Sequence, residues 1–163
     1  MEAGEHNIEI TAADEAGNEA TYTLVLNLKP VVVSKKNPNP VIYDGEYATI
    51  TLKNFKHGEI YEYSDMFGYS VEFNVENKCD EPIDVYLSMY TSINDYQVKG
   101  YYTINPIAPE KKGTAFSYIE DKEIPKEVGN FSQIDSIVCI KKHNQDESFY
   151  RISTTFMTDA VKK

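Results

Sequence analysis

Apolar and polar positions alternate with a period of two along almost the whole chain, and helical spacing is nearly absent. Tyr69, Val71, Phe73 and Val75 alternate with Ser70, Glu72, Asn74 and Glu76, which is the pattern of a strand with one dry face and one wet face. After the turn Asn77-Lys78-Cys79-Asp80-Glu81-Pro82, Ile83, Val85, Leu87 and Met89 repeat it against Asp84, Tyr86, Ser88 and Tyr90. Asn94-Asp95 then closes that strand onto a further one from Tyr96 to Thr103. Strands are also predicted from Val41 to Asp44, Tyr47 to Phe55, Thr114 to Glu120, Ile134 to Lys141 and Ser148 to Thr158. A longer aromatic loop covers residues 56 to 67, and one helical turn is expected near Pro125-Lys126-Glu127. Short strands at this spacing, with turn residues between them, predict an all-β, antiparallel sandwich. Its core is expected to be Ile50, Leu52, Val71, Phe73, Val75, Ile83, Val85 and Leu87.

The first thirty residues form a separate pattern. Two alternating segments, Ile8 to Ala12 and Ala20 to Leu28, flank Asp14-Glu15-Ala16-Gly17-Asn18. Asp at the start and Gly at the fourth position suit a type I turn closed by a left-handed residue, so a β-hairpin is expected. Pro30-Val31-Val32-Val33 and Ser34-Lys35-Lys36-Asn37-Pro38-Asn39-Pro40 follow, and the two Asn-Pro steps suit a stiff connector. The expected organisation is a hairpin at 1–30, a linker at 31–40 and a sandwich domain at 41–160. An isolated hairpin is marginal in water, so its apolar side chains need cover, either on the sandwich or on the hairpin of another copy.

Residues 4 to 23, from Gly4-Glu5-His6-Asn7-Ile8-Glu9-Ile10 to Ala20-Thr21-Tyr22-Thr23, closely resemble the last two strands of bacterial immunoglobulin-like repeats. Those repeats build stalks of secreted and cell-surface proteins. The region from 41 to 158 resembles uncharacterised extracellular β-sandwich domains of Gram-positive bacteria. The features that carry this are Tyr43-Asp44 with Ile50-Thr51-Leu52, Val71 through Asn77, Pro109-Glu110-Lys111-Lys112 before a strand, and the pair Ile134 and Ile137. These resemblances imply an immunoglobulin-like sandwich in an extracellular or cell-surface setting, and they import no chemistry.

Composition narrows the partners. Sixteen basic residues are scattered among twenty-six acidic ones, giving a net charge of -10 without a basic stripe, so nucleic acid and anionic lipid are not expected partners. Arg151 is the only Arg, and Lys, Ile, Asn and Tyr are abundant, which points to AT-rich codons and a low-GC Gram-positive source. Cys79 and Cys139 have no Cys-x-x-Cys partner and no metal-ligand spacing. A single disulfide and two separate thiols both remain open, and the turn position of Cys79 against the mid-strand position of Cys139 favours the thiols. No apolar run reaches the ~18 residues that span a bilayer, and no signal peptide opens the chain, so an exported form is expected to be a piece of a longer protein.

Candidate chemistry is sparse. Asp14, Glu15, Asn18 and Glu19 could offer oxygens to calcium, but the Asp-x-Asp-x-Asp-Gly spacing is missing and a turn cap is the expected role of Asp14. Tyr61, Tyr63, Phe67 and Tyr69 in the aromatic loop, with the outward Tyr86 and Tyr90, could stack on sugar rings, while Tyr as ordinary sheet surface competes with that role. The ligand-binding candidates are therefore Tyr61, Tyr63, Phe67, Tyr86 and Tyr90. His6, His57 and His143 lie in separate segments, and no nucleophile, metal or phosphate motif occurs, so neither catalysis nor a cofactor is expected. Lys53 and Lys99 fall on polar faces, which argues against a covalent Lys-Asn crosslink. The sequence thus predicts a non-catalytic module of a secreted or surface bacterial protein, acting in adhesion, spacing or ligand binding. Its partners would be a cell-wall or host glycan or protein, or another copy of itself. The alternative is a carbohydrate-binding accessory module of a larger secreted enzyme.

Overall fold

The computed structural model of the protein describes residues 4–62, 64–145, 148 and 150–160. In chain order its strands are β1 (Gly4–Ala13), β2 (Glu19–Leu28), β3 (Val31–Val33), β4 (Val41–Asp44), β5 (Ala48–Glu59), β6 (Phe67–Asn77) and β7 (Ile83–Leu87). They continue as β8 (Tyr90–Ile93), β9 (Tyr96–Lys99), β10 (Tyr101–Thr103), β11 (Lys112–Glu120), β12 (Gln133–Lys142) and β13 (Tyr150–Met157). Among the described residues the only helical pieces are 3-10 turns at Asp121–Glu123, Lys126–Val128 and Thr158–Ala160. The chain is all-β, and its two larger sheets pack as a sandwich.

One sheet has the order β10-β11-β6-β5-β4. The other runs β3-β13-β12-β8-β9, with β7 also on β12. Their inner faces meet through residues that alternation selects. Ile50, Leu52, Val71, Phe73, Val75, Ile83, Val85 and Leu87 are all buried, as their spacing predicts. Phe55 of β5 meets Phe156 of β13 at 5.2 Å between ring centroids, which ties one sheet to the other across the core. At one side the Leu87 amide donates to Ser117 Oγ at 3.0 Å, and Tyr86 stacks on Tyr102 at 4.4 Å.

Four expectations need correction. The segment from Tyr96 to Thr103 is two strands, because the chain leaves one sheet at Lys99 and enters the other at Tyr101. Gly100 makes the corner, where a Cβ would stand 3.2 Å from the Ser88 carbonyl oxygen. The alternation from Ile83 likewise stops at Leu87, and Met89 is exposed rather than facing the core. The loop expected over 56–67 is shorter, since β5 runs to Glu59 and β6 starts at Phe67. The stretch expected as a linker begins with β3, which pairs in parallel with β13 and buries Val33 completely.

β1 and β2 form their own two-stranded sheet, from Gly4 opposite Leu28 to Ala13 opposite Glu19. The turn is built as its residues dictate. Asp14 Oδ1 accepts from the amides of Ala16 and Asn18, both at 2.9 Å, and Gly17 takes the left-handed conformation at φ 85°. Ile8 sits opposite Leu24 and Ile10 opposite Tyr22, and all four are exposed. That face is apolar and uncovered.

Two outcomes follow from this packing. Phe73→Ala removes a wholly buried ring and is expected to cost about 3 to 5 kcal/mol, read as a lowered denaturant midpoint; an unchanged midpoint would contradict the core assignment. Removing residues 1–30 leaves β3 in place and is expected to leave a cooperatively melting sandwich, whereas a chain that no longer folds would place the hairpin in the main core.

Candidate functional site: an aromatic cleft on the five-stranded sheet

The outer face of the sheet β10-β11-β6-β5-β4 is ordered in rows by its register. Phe116 of β11 lies between Thr103 of β10 and Glu72 of β6, and Glu72 faces Asn54 of β5. The next row holds Tyr101, Tyr118, Ser70 and Lys56. Alternation explains the placement: Ala115, Ser117 and Ile119 turn to the core, so Thr114, Phe116 and Tyr118 must turn outward.

The loop between β5 and β6 folds over these rings. It is closed by the Ile60 amide donating to the Met66 carbonyl at 2.8 Å, and Ser64 Oγ donates to the Tyr61 carbonyl at 2.8 Å. Tyr61 is thereby held 5.8 Å from Phe116 and edge-on to Tyr118 at 5.6 Å. Tyr118 in turn stacks on Tyr101 at 5.3 Å, and the Tyr101 hydroxyl donates to Glu123 at 2.7 Å. The Tyr61 hydroxyl and Thr103 Oγ1 are 3.4 Å apart.

Between the loop and the sheet lies a cleft of about 480 Å³, within the range of small-ligand sites. Tyr61 and Glu62 form one wall, Phe116, Thr114 and Glu72 the floor, and Thr103, Ile104 and Asn105 the lip. Ile104 is 65% exposed there and adds an apolar side chain to the rim. Asn105 Nδ2 donates to the Thr114 carbonyl at 3.2 Å, leaving its Oδ1 as an acceptor. Glu72 is held by Lys53 at 2.7 Å. One strand further, at the bulge between Leu52 and Asn54, the buried Asn54 Oδ1 has no hydrogen-bond partner among the described residues.

The aromatic candidates do not converge on one platform. Tyr61 forms a wall of the cleft, and Phe67, 52% exposed, stands at the base of the same loop. Tyr63 lies outside the described residues. Tyr86 and Tyr90 belong to β7 and β8 in the other sheet. Tyr86 is engaged by Tyr102 and has Lys141 Nζ 5.8 Å above its ring, while Tyr90 borders a shallow groove with Ser92, Asp135 and Thr155. Sequence reasoning missed Phe116, Thr103, Ile104 and Asn105. The available signal was Thr114, Phe116 and Tyr118 recurring at wet-face positions of one strand.

Other candidate groups are committed to structure. The Asp14 carboxyl is held below its ordinary range chiefly by the Asn18 side-chain amide, with the turn's backbone amides adding to it. His57 lies on β5 rather than in a loop, with Nε2 at 3.0 Å from both Asp121 oxygens and its ring 4.5 Å from Tyr69. His143 Nδ1 lies 3.1 Å from the buried Asp84 carboxylate. Cys79 and Cys139 are not bridged to each other. Cys79 borders a second hollow of about 510 Å³, where burial pushes its thiol up and Lys78 and Lys142 are paired with Asp44 and Glu81. Lys99 lies 4.8 Å over the Tyr101 ring. Among the described residues, no three His, Cys, Asp or Glu side chains converge as metal ligands, and no helix is long and apolar enough to cross a membrane.

Comparison of the chain with protein-family models, curated proteins and solved structures gives no match.

The ring cluster has a measurable signature. Burial first, and then the hydrogen bond that the Tyr118 hydroxyl donates to Tyr61, push the Tyr118 phenol from 10.0 up to about 12. Between those values the unfolded chain releases the proton and the folded chain keeps it, so stability is expected to fall as pH rises through that window and to be unaffected below it. Ultraviolet titration should show one tyrosine ionising after the others, and Tyr61→Phe should move it down. A wild-type profile without a late tyrosine would contradict the cluster.

Proposed function

We propose that the protein is a non-catalytic binding module of a secreted or cell-surface bacterial protein, and that the aromatic cleft holds its ligand. The observation that carries this reading is the cleft itself: two rings held at fixed angles beside carboxylate, amide and hydroxyl groups, open to solvent and rimmed by an exposed Ile. Concave, mostly apolar sites with a few polar groups are where small ligands and chain ends of polymers settle. Among the described residues the lining has no His, Cys, Ser or Lys to act as nucleophile or base.

The immunoglobulin-like kinship of the sandwich belongs to the same proposal, supported by the wording of residues 4 to 23 and by the two-sheet packing. So does an adhesive or spacing role in which the uncovered face of the hairpin pairs with another copy; the chain lacking residues 1–30 would then scatter light as a smaller species. A carbohydrate is the ligand class favoured by a specific feature. Ring faces pack on the C-H patches of pyranoses while neighbouring acceptors bind hydroxyls, and the cleft pairs Tyr61 and Phe116 with Glu62, Asn105 and Thr103.

Screening the whole chain against immobilised cell-wall and host glycans tests this. A bound glycan whose affinity falls about tenfold in Tyr61→Ala and in Phe116→Ala, with Tyr90→Ala on the other sheet unaffected, is the expected result. Equal binding by all three variants would move the ligand elsewhere. No binding to any glycan would leave the spacer role and remove the carbohydrate reading.

A further inference from the structure

Resting on that reading of the cleft, we propose that its preferred ligand carries a positive charge: a glycan with free amino groups, of the glucosamine type, in preference to its N-acetylated or acidic counterparts. Both charged groups that meet the ligand are carboxylates, and the Tyr61, Thr103 and Thr114 hydroxyls beside them accept as well as donate. Glu62 has no ion-pair partner among the described residues, Asn105 Oδ1 is left over once Nδ2 bonds to Thr114, and Glu72 keeps a second oxygen beyond the one that Lys53 takes. The faces of Tyr61 and Phe116 carry the negative end of the aromatic quadrupole, which attracts an ammonium group within about 6 Å.

Among the described residues no positive side chain lines the cleft, which contains no Lys or Arg. Lys53 is held on Glu72 at 2.7 Å, Lys112 on Glu76 at 3.1 Å and Lys122 on Glu120 at 2.7 Å, while Lys99 covers Tyr101. Lys56 shares the outer face but belongs to the adjacent row, across Ser70 from Tyr118, and does not line the cleft. An acidic sugar would therefore bring its carboxylate to Glu62 without a counter-charge, and an N-acetyl group would replace the cation by a neutral amide. The net charge of -10 adds a long-range attraction for the same ligand class.

Titration calorimetry of the full chain at 0.15 M salt, with β-1,4-linked tetramers of glucosamine, of N-acetylglucosamine and of a uronic acid, decides the matter. The expected result is that the amino tetramer binds about tenfold more tightly than the N-acetylated one and that the acidic tetramer does not bind. Glu62→Gln should bring the first two to within about twofold while leaving the N-acetylated affinity unchanged. Glu46→Gln, at the other hollow, controls for diffuse attraction by the acidic chain. Equal binding of the amino and N-acetylated tetramers would overturn this inference and leave the glycan-binding reading intact. A preference reduced equally by Glu62→Gln and Glu46→Gln would also overturn it, since the charge would then act from the whole surface. No binding by any tetramer would count against both readings.

Discussion

The side-chain amide of Asn77 fixes where the chain passes from one sheet to the other. It ends β6, is 1% exposed, and meets all its partners within the protein. Nδ2 donates to the carbonyls of Glu81 and Ile107 at 2.9 Å and of Ala108 at 3.2 Å, while Oδ1 accepts from the Cys79 amide at 2.8 Å. One residue thus holds the turn into β7 and the segment between β10 and β11. Leaving such an amide buried without partners costs roughly 1 to 3 kcal/mol, so these segments are held together or not at all. The consequence reaches the cleft. Ile107 is paired with Ile83 and tied to Asn77, so Thr103, Ile104 and Asn105 span a short distance between two anchored points. The lip is shaped by the core as well as by its own bond from Asn105 to Thr114.

The opposite wall is made differently. Tyr61 sits on a loop held by hydrogen bonds among Ile60, Tyr61, Ser64 and Met66 and by the rings beneath it, with 41% of its own surface exposed. The cleft therefore combines a rigid floor and lip with a wall held by aromatic contacts, which is the arrangement in which a ligand adds order to one side only. Gly68 helps to make this compact. A Cβ there would collide with the Ile119 carbonyl oxygen, so β6 and β11 approach at the point where the loop returns to the sheet.

Which parts were legible in the sequence follows from the range of the interactions involved. Val71 to Asn77 and Ile83 to Leu87 announce themselves because burial of one face imposes a period of two on consecutive residues. The turn at Asn94-Asp95 is equally local, with both residues in the left-handed region at φ 45° and 67°. Gly100 was not legible, since alternation continues on both sides of it and only the separate pairing of β9 and β10 shows that the chain changes sheets. β3 was hidden for a similar reason: three Val before an Asn-Pro stretch carry no signal of a parallel partner more than a hundred residues away. The cleft is the extreme case. Tyr61 could be named as an outward aromatic, but its neighbours come from β6, β10 and β11, and no local pattern joins them.

The hairpin shows the same physics without the core. In the sandwich, register is enforced because a slip by one residue would turn buried side chains to water. β1 and β2 have no such penalty, as both of their faces meet solvent. Their register rests on the turn, where Asp14 satisfies the amides of Ala16 and Asn18, and on cross-strand pairs such as Thr11 and Thr21, whose hydroxyls lie 3.2 Å apart. Its polarity is nonetheless sorted: Ile8, Ile10, Tyr22 and Leu24 share one face, while Glu5, Glu9 and Glu19 lie on the other. The cross-strand pairs of Ile8 with Leu24 and Ile10 with Tyr22 stabilise the ribbon only modestly while that face meets water, and a second apolar surface over it would add the burial that the sandwich strands obtain from each other.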